Sequence, residues 1–179
     1  MKVVFEKDLL VQGCMKIGKA ITGKANKDIL KGIKIIAQGN MVILTGTDMD
    51  ITITTRLKAE VLEEGNILVD YKLLNEIIRK MSGNEISFET TETELIIRCN
   101  KSQISLLLIN DDAYPDIVNV NKNLAFTIDN YLLKELVQGV AFATAEDNSK
   151  AILQGIYFAV TKSVLNIVAL DGYRLAYKK

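Results

Sequence analysis

Histidine and tryptophan are absent from this 179-residue sequence, which has only two cysteines and one proline. Without histidine, neither a Ser-His-Asp triad nor a zinc site with histidine ligands can form. Cys14 and Cys99 both lie in apolar patterns, which predicts reduced core thiols rather than a disulfide framework. The sequence therefore predicts no metal site and no cofactor.

Long hydrophobic runs are also missing. The longest uncharged apolar runs are short, such as residues 104–109, whereas a membrane-spanning helix needs roughly 20 residues. The apolar start of the chain meets charges at Glu6, Lys7 and Asp8, so it lacks the apolar core of a signal peptide. We expect a cytoplasmic protein that does not contact a membrane.

The charges balance to zero, with 22 basic and 22 acidic residues, but their distribution is uneven. Residues 1–34 hold eight lysines, whereas acidic residues dominate 60–70 and 85–94. This asymmetry has two interpretations. The basic region could bind a polyanion, or its lysines could simply solvate a helix face.

Hydrophobic spacing predicts a mixed fold. Three amphipathic helices are indicated by Leu10, Cys14, Ile17 and Ile21, by Leu74, Ile77, Ile78 and Met81, and by Leu133, Leu136, Val137 and Val140. Asp129 or Asn130 is expected to cap the third helix. Strands are predicted at 33–37, 41–45, 50–57, 66–69, 85–90, 94–99 and 103–108. The order favours an α+β fold of repeated strand-helix-three-strand modules, with short helices packed on antiparallel sheets.

An internal repeat indicates how these modules form domains. Shifting the sequence by 123 residues aligns Ile29-Leu30-Lys31-Gly32-Ile33 with Ile152-Leu153-Gln154-Gly155-Ile156, and Asp48 with Asp171. We therefore predict a two-module domain over 1–122 and an incomplete one-module domain over 123–179. A single module would expose the apolar face of the third helix and unpaired strand edges, so we expect the chain to self-associate there.

Asp48 and Asp50 are the strongest candidates for a catalytic site. Their spacing is that of a metal-binding pair, which would support an enzyme. A hairpin corner explains the same residues, because a strand is predicted directly after them and no third acidic ligand lies nearby. We favour the turn, and we expect no catalytic residues.

Several short segments carry a family resemblance. They are Lys2-Val3-Val4-Phe5, Leu30-Lys31-Gly32-Ile33, Leu44-Thr45-Gly46-Thr47-Asp48, Ala113-Tyr114-Pro115, Leu153-Gln154-Gly155-Ile156 and Ala169-Leu170-Asp171-Gly172-Tyr173-Arg174-Leu175-Ala176. In this order they resemble bacterial DNA polymerase III beta subunits, the sliding clamps. The resemblance implies a DNA-clamp fold and a non-catalytic processivity factor. For the full-length protein, the resemblance implies a homodimeric ring that encircles duplex DNA and tethers the replicative polymerase. The alternative is a clamp-fold interaction module that does not encircle DNA.

The resemblance also implies site residues. Lys24, Lys72 and Lys150 fall on positions that contact or approach DNA without sequence preference. Leu153, Leu170, Gly172, Tyr173, Arg174 and Leu175 fall on part of a pocket for short peptide motifs of the polymerase and the clamp loader. Ile104 and Leu106 fall on the strand that contacts another subunit.

Overall fold

The computed structural model describes residues 1–21, 27–115, 126–146, 148–161 and 164–179. The chain divides into two compact units, Met1–Asn119 and Val120–Lys179. The predicted domain boundary at residues 122 and 123 falls between the described ranges and stays a prediction. Among the described residues, no helix combines the length and the apolarity that crossing a bilayer requires.

The first unit contains two α-helices, one short 3₁₀ helix (Asp28–Lys31) and nine strands in its described ranges. In chain order the α-helices and strands are β1 (Lys2–Glu6), α1 (Lys7–Ile17), β2 (Gly32–Gln38), β3 (Met41–Thr47), β4 (Thr52–Lys58), β5 (Glu60–Glu63), β6 (Gly65–Asp70), α2 (Tyr71–Lys80), β7 (Glu85–Thr90), β8 (Glu94–Cys99) and β9 (Ser102–Leu107). The strands form two antiparallel sheets with the orders β5-β1-β7-β8-β9 and β4-β3-β2-β6. The α+β prediction is confirmed.

The two halves of the first unit exchange their first strands. β1 precedes α1 but pairs with β7 of the second half, in a register that places Val3 opposite Phe88. β6 precedes α2 but pairs with β2 of the first half, where Ile33 lies opposite Val69. Each sheet therefore contains strands from both halves, and the halves share one hydrophobic core.

The helices of the first unit begin in different ways. The carboxylate of Asp70 caps α2 by accepting a hydrogen bond from the backbone N–H of Leu73 at 2.8 Å. α1 has no side-chain cap, and the backbone N–H of Lys7 donates instead to the Asn84 carbonyl of the other half at 2.8 Å. A contact with the other half thus satisfies a backbone N–H group at the start of α1, where no side chain acts as a cap.

The thiols belong to the core, as the sequence predicts. Cys14 and Cys99 are both free and buried, and burial raises the pKa of Cys14 to about 12. At neutral pH the Cys14 side chain is therefore a neutral apolar group.

The second unit contains one helix and three strands in its described ranges. They are α3 (Asn130–Ala141), β10 (Tyr157–Val160), β11 (Leu165–Leu170) and β12 (Leu175–Lys178), and a short 3₁₀ segment (Asn148–Gln154) precedes β10. The antiparallel sheet has the order β10-β11-β12. Asp129 is the cap of α3, since its carboxylate accepts from the N–H groups of Tyr131 at 2.8 Å and Leu132 at 3.2 Å.

The core of the second unit corrects one prediction. Leu136 and Val140 of α3 are only 5% and 0% exposed, because they pack with Ile167, Ala169 and Ala176 of the unit's own sheet. The expectation that this apolar helix face would lie exposed is therefore wrong for both residues. Among the strands, β10 does expose apolar side chains, since Phe158 and Val160 are 39% and 50% exposed.

The 123-residue repeat corresponds to structure. Shifted by 123, the bounds of α1 become 130–140, and α3 spans Asn130–Ala141. The same shift carries β3 to 164–170 and β4 to 175–181, where β11 and β12 lie. The first strand of the module has no counterpart at residues 126–129, which form no strand.

Candidate functional site

A cleft of about 560 Å³ lies in the second unit. Its walls come from the segment after α3, from the 3₁₀ segment and from the turn between β11 and β12. The lining residues are Thr144, Ala145, Glu146, Lys150, Leu153, Asp171, Gly172, Tyr173 and Arg174. The backbone N–H of Ala145 donates to the Leu153 carbonyl at 2.9 Å, which ties two of these walls together.

The turn between β11 and β12 is organised by Asp171. Its carboxylate accepts from the N–H groups of Tyr173 at 2.9 Å and Arg174 at 3.0 Å, and from the Nε of Arg174 at 2.8 Å. Gly172 has a φ of +96°, a conformation that L side chains rarely adopt. The backbone hydrogen bonds from Arg174 and Tyr173 lower the pKa of Asp171, so the carboxylate stays ionised and keeps these donors.

The structure brings together four of the six residues predicted for the peptide pocket. Leu153, Gly172, Tyr173 and Arg174 line the cleft, and Tyr173 is fully exposed at 101%. The other two, Leu170 and Leu175, are cross-strand partners at the ends of β11 and β12. Both are exposed but neither lines the cleft.

Sequence reasoning missed one wall of the cleft. Thr144, Ala145 and Glu146 have no apolar periodicity and no motif, and they line the cleft only because the chain folds back after α3. Lys150, which was predicted for DNA, also lines this cleft. It is exposed and has φ −141° and ψ 91°, which breaks the 3₁₀ segment.

The other predicted DNA residues lie in the first unit. Lys24 is outside the described residues. Lys72 is exposed at the second position of α2, and among the described residues it forms no ion pair. The exposed basic residues of α1, α2 and the turn after α1 are Lys16, Lys19, Lys72, Arg79 and Lys80. Acidic residues instead mark the sheet that contains β5 and β7, including Glu60, Glu63 and Glu85.

The predicted subunit-contact strand is β9, which forms an edge of its sheet. Ile104 is 41% exposed and lines a groove of about 250 Å³ with Leu73 and Ile77 of α2. Leu106 is only 9% exposed and belongs to the core of the first unit. Ile104 is thus the more accessible of the two residues.

Asp48 and Asp50 form a turn, as favoured from the sequence. The carboxylate of Asp48 accepts from the N–H groups of Asp50 at 3.1 Å and Ile51 at 2.8 Å, and Met49 between them has a φ of 84°. Over the described ranges, no group of three His, Cys, Asp or Glu side chains is arranged to hold a metal ion.

Both units match domains of one protein family. Residues 1–118 match the N-terminal domain of the DNA polymerase III beta subunit, and residues 127–179 match its central domain. The chain belongs to the DNA polymerase III beta subunit family. The family resemblance seen in the sequence is thus confirmed, and the first unit with its exchanged strands corresponds to the N-terminal clamp domain.

Individual sliding clamps agree with this assignment. The beta sliding clamp of Halalkalibacterium halodurans is 30% identical over 188 residues, which cover 100% of this chain and 50% of the relative. The crystal structure of the Bacillus subtilis sliding clamp matches with a TM-score of 0.95 at 30% identity, over 99% of this chain and 49% of that one. The predicted DNA-clamp fold is confirmed. This chain spans about half the length of the curated clamps it matches.

A third clamp was solved with a ligand. The sliding clamp of Bartonella birtlesii, bound to griselimycin, matches with a TM-score of 0.92 at 24% identity. That match covers 99% of this chain and 49% of the Bartonella protein. The likeness shows that the two proteins share the clamp fold.

Proposed function

We propose that this chain belongs to a cytoplasmic DNA sliding clamp, a non-catalytic processivity subunit. In the complete protein it encloses duplex DNA and tethers the replicative polymerase. The observation that carries the proposal is the match of both units, in order, to the N-terminal and central domains of the beta subunit. A protein that acts by enclosure needs only weak, sequence-independent attraction to phosphates.

The exposed basic residues of α1 and α2 support a DNA-facing surface. Lys72 is exposed in the first turn of α2 and forms no ion pair among the described residues, so its charge is available to a phosphate. The acidic residues of the sheet that contains β5 and β7 would repel DNA from that side. Lys24 and Lys150 belong to the same proposal through the family resemblance.

We expect the 179-residue chain to bind duplex DNA weakly and with strong salt dependence. Each phosphate contact adds roughly 0.9 to the slope of log affinity against log salt. Lys72→Gln should reduce that slope by about 1. Fluorescence anisotropy over a salt series measures it, with Lys101→Gln in the β8–β9 turn as a control of equal charge change. Tight binding that barely changes with salt, or equal effects of the two variants, would contradict the proposed surface.

The cleft of the second unit is proposed as part of a pocket for short peptide motifs of the polymerase and the clamp loader. An apolar wall at Leu153 lies beside the hydrogen-bond donors of Arg174 and Lys150. This combination suits an extended peptide, which presents apolar side chains and carbonyl oxygens together. Leu170 and Leu175 would extend the apolar surface at the edge of the cleft.

In the complete protein, Arg174→Ala should weaken the binding of griselimycin about tenfold and leave the fold intact. The lost group is a charged hydrogen-bond donor, whose loss costs about 1.5 kcal/mol or more. Its exposed ion pair with Asp171 contributes little to stability.

Isothermal titration calorimetry gives the affinity, and competition with the replicative polymerase tests whether the two ligands share the site. Lys134→Ala, an exposed cation of α3 outside the cleft, is the control. Unchanged affinity in a folded Arg174→Ala protein would refute the assigned pocket.

Two self-contacts complete the proposal. In the complete protein, the edge strand β9 with Ile104 and Leu106 is proposed to contact a second subunit and close a homodimeric ring. A strictly monomeric complete protein in sedimentation would contradict this contact.

For the 179-residue chain, we propose self-association through the second unit. The support is the β10 edge, which has no strand partner within the described residues, together with the exposed Phe158 and Val160.

A further inference from the structure

The guanidinium group of Arg174 is held from two directions in the candidate pocket. Its Nε donates to Oδ2 of Asp171 at 2.8 Å. Its Cζ lies 5.9 Å from the centre of the Phe142 ring, within the range of a cation–π interaction. Asp171 belongs to the turn after β11, whereas Phe142 directly follows α3. Two separate elements therefore converge on one side chain.

This arrangement leaves the other donors of Arg174 available. A guanidinium carries five N–H groups, and the Asp171 contact uses the one on Nε. The four N–H groups on the two terminal nitrogens have no hydrogen-bond partner among the described residues. Arg174 lines the cleft, so within the described residues these donors can meet the oxygen of a ligand there.

Restraining Arg174 before a ligand arrives makes the free energy of ligand binding more favourable. A free arginine side chain loses rotamer entropy when it becomes fixed, and a group that is already restrained loses less. The Asp171 contact alone leaves rotation about the Nε hydrogen bond. A ring beside the guanidinium restricts that rotation, and the centre of the Phe142 ring lies 5.9 Å from Cζ of Arg174.

We propose that Phe142 is a positioning residue of the peptide pocket. Together with Asp171 it holds Arg174 so that the terminal nitrogens can donate to a carbonyl or carboxylate oxygen of the bound peptide. This inference rests on the proposed function of the cleft. It adds a residue outside the cleft lining, which acts only through Arg174.

The contact itself is tested on the 179-residue chain without a ligand. Nuclear magnetic resonance should show a ring-current shift on the side-chain protons of Arg174, and Phe142→Leu should abolish it. Phe126→Leu is the matched control, because Phe126 is a comparably exposed ring of the same unit, at 53%, that does not line the cleft. Equal Arg174 shifts in the parent chain and Phe142→Leu would overturn the inference whatever the pocket binds.

The effect of Phe142 on ligand affinity is tested on the complete protein with griselimycin. Phe142→Leu should weaken binding about threefold to fivefold, as expected for an exposed cation–π contact. Phe142→Tyr should keep the affinity of the unsubstituted protein, because tyrosine also presents an aromatic ring. Phe126→Leu should leave the affinity unchanged. In an Arg174→Ala background, Phe142→Leu should have no further effect. An equal loss in both backgrounds would overturn the positioning role.

The two proposals fail in different ways. If the unsubstituted protein does not bind griselimycin, or if Arg174→Ala binds it normally, the pocket assignment fails and this inference fails with it. If Arg174→Ala weakens binding but Phe142→Leu does not, only the positioning role of Phe142 is wrong.

Discussion

Val140→Asp is expected to unfold the second unit while the first unit stays folded. Val140 is 0% exposed and packs with Leu136 of α3 and Ile167 of β11. An aspartate there would place an unpaired carboxylate in an apolar core and remove the valine packing. Such changes lie at the upper end of single-substitution effects, about 4 to 5 kcal/mol or more. A core of six buried residues has little stability to spare.

Amide hydrogen exchange of the 179-residue chain measures this effect unit by unit. Protection should disappear in α3 and β11 and persist in β2, β3 and β8, which belong to the other unit. Native protection of α3 in Val140→Asp would contradict the packing described here. Simultaneous loss of protection in both units would show that they do not fold separately.

Val160→Asp is the matched control and also tests self-association. Val160 is 50% exposed on β10, so the carboxylate stays hydrated and the unit should remain folded. The same substitution places a charge on the proposed contact. Light scattering should therefore report a dimer for the parent chain and a monomer for Val160→Asp. A parent chain that stays monomeric at high concentration would refute self-association.

Local sequence patterns predicted the helices and the helix cap that depend on residues close together in the chain. The spacing of Leu10, Cys14 and Ile17 predicted α1, and Asp129 was one of two expected caps of α3. β5 was missed because it has only four residues, with a glutamate at each end, and is a strand only through its pairing with β1. No local pattern marks that contact.

Exposure was harder to predict than secondary structure. Alternation places Ile104 and Leu106 on the same face of β9, yet one is 41% exposed and the other 9%. The core reaches Leu106 but not Ile104. Alternation shows which side chains share a face, but not how much of that face the core covers. Leu136 and Val140 were expected at a surface because the second unit has a single module, although β11 and β12 of that module cover them.

The candidate pocket was predictable where it lies in one continuous segment. Gly172, Tyr173 and Arg174 share a single turn, so a family motif could identify them together. Leu153 was found through its own motif. Phe142 and Glu146 have no motif, and only the fold brings Phe142 beside Arg174 and Glu146 into the cleft.

Gly46→Ala is expected to destabilise the first unit by about 2 to 3 kcal/mol, the upper part of the range for overpacking a core. A Cβ atom at this position of β3 would lie 2.6 Å from Cγ2 of Ile17 and 2.8 Å from Cγ1 of Ile21. Ile17 is 0% exposed and cannot swing aside, so α1 would have to move away from the sheet. The gain from restricting the unfolded chain, about 0.4 to 1 kcal/mol, is smaller than this cost.

Urea unfolding of the 179-residue chain gives the free energy of each variant. Ile17→Ala removes the closest obstructing atom and should itself cost about 2 to 5 kcal/mol. If the proximity of Gly46 and Ile17 is the cause, adding Gly46→Ala to Ile17→Ala should cost less than Gly46→Ala alone, because the contact with Ile17 is gone while that with Ile21 remains. Full additivity would contradict this explanation. The glycine of the Leu44-Thr45-Gly46-Thr47-Asp48 motif then owes its place to the close approach of α1 rather than to the turn that follows it.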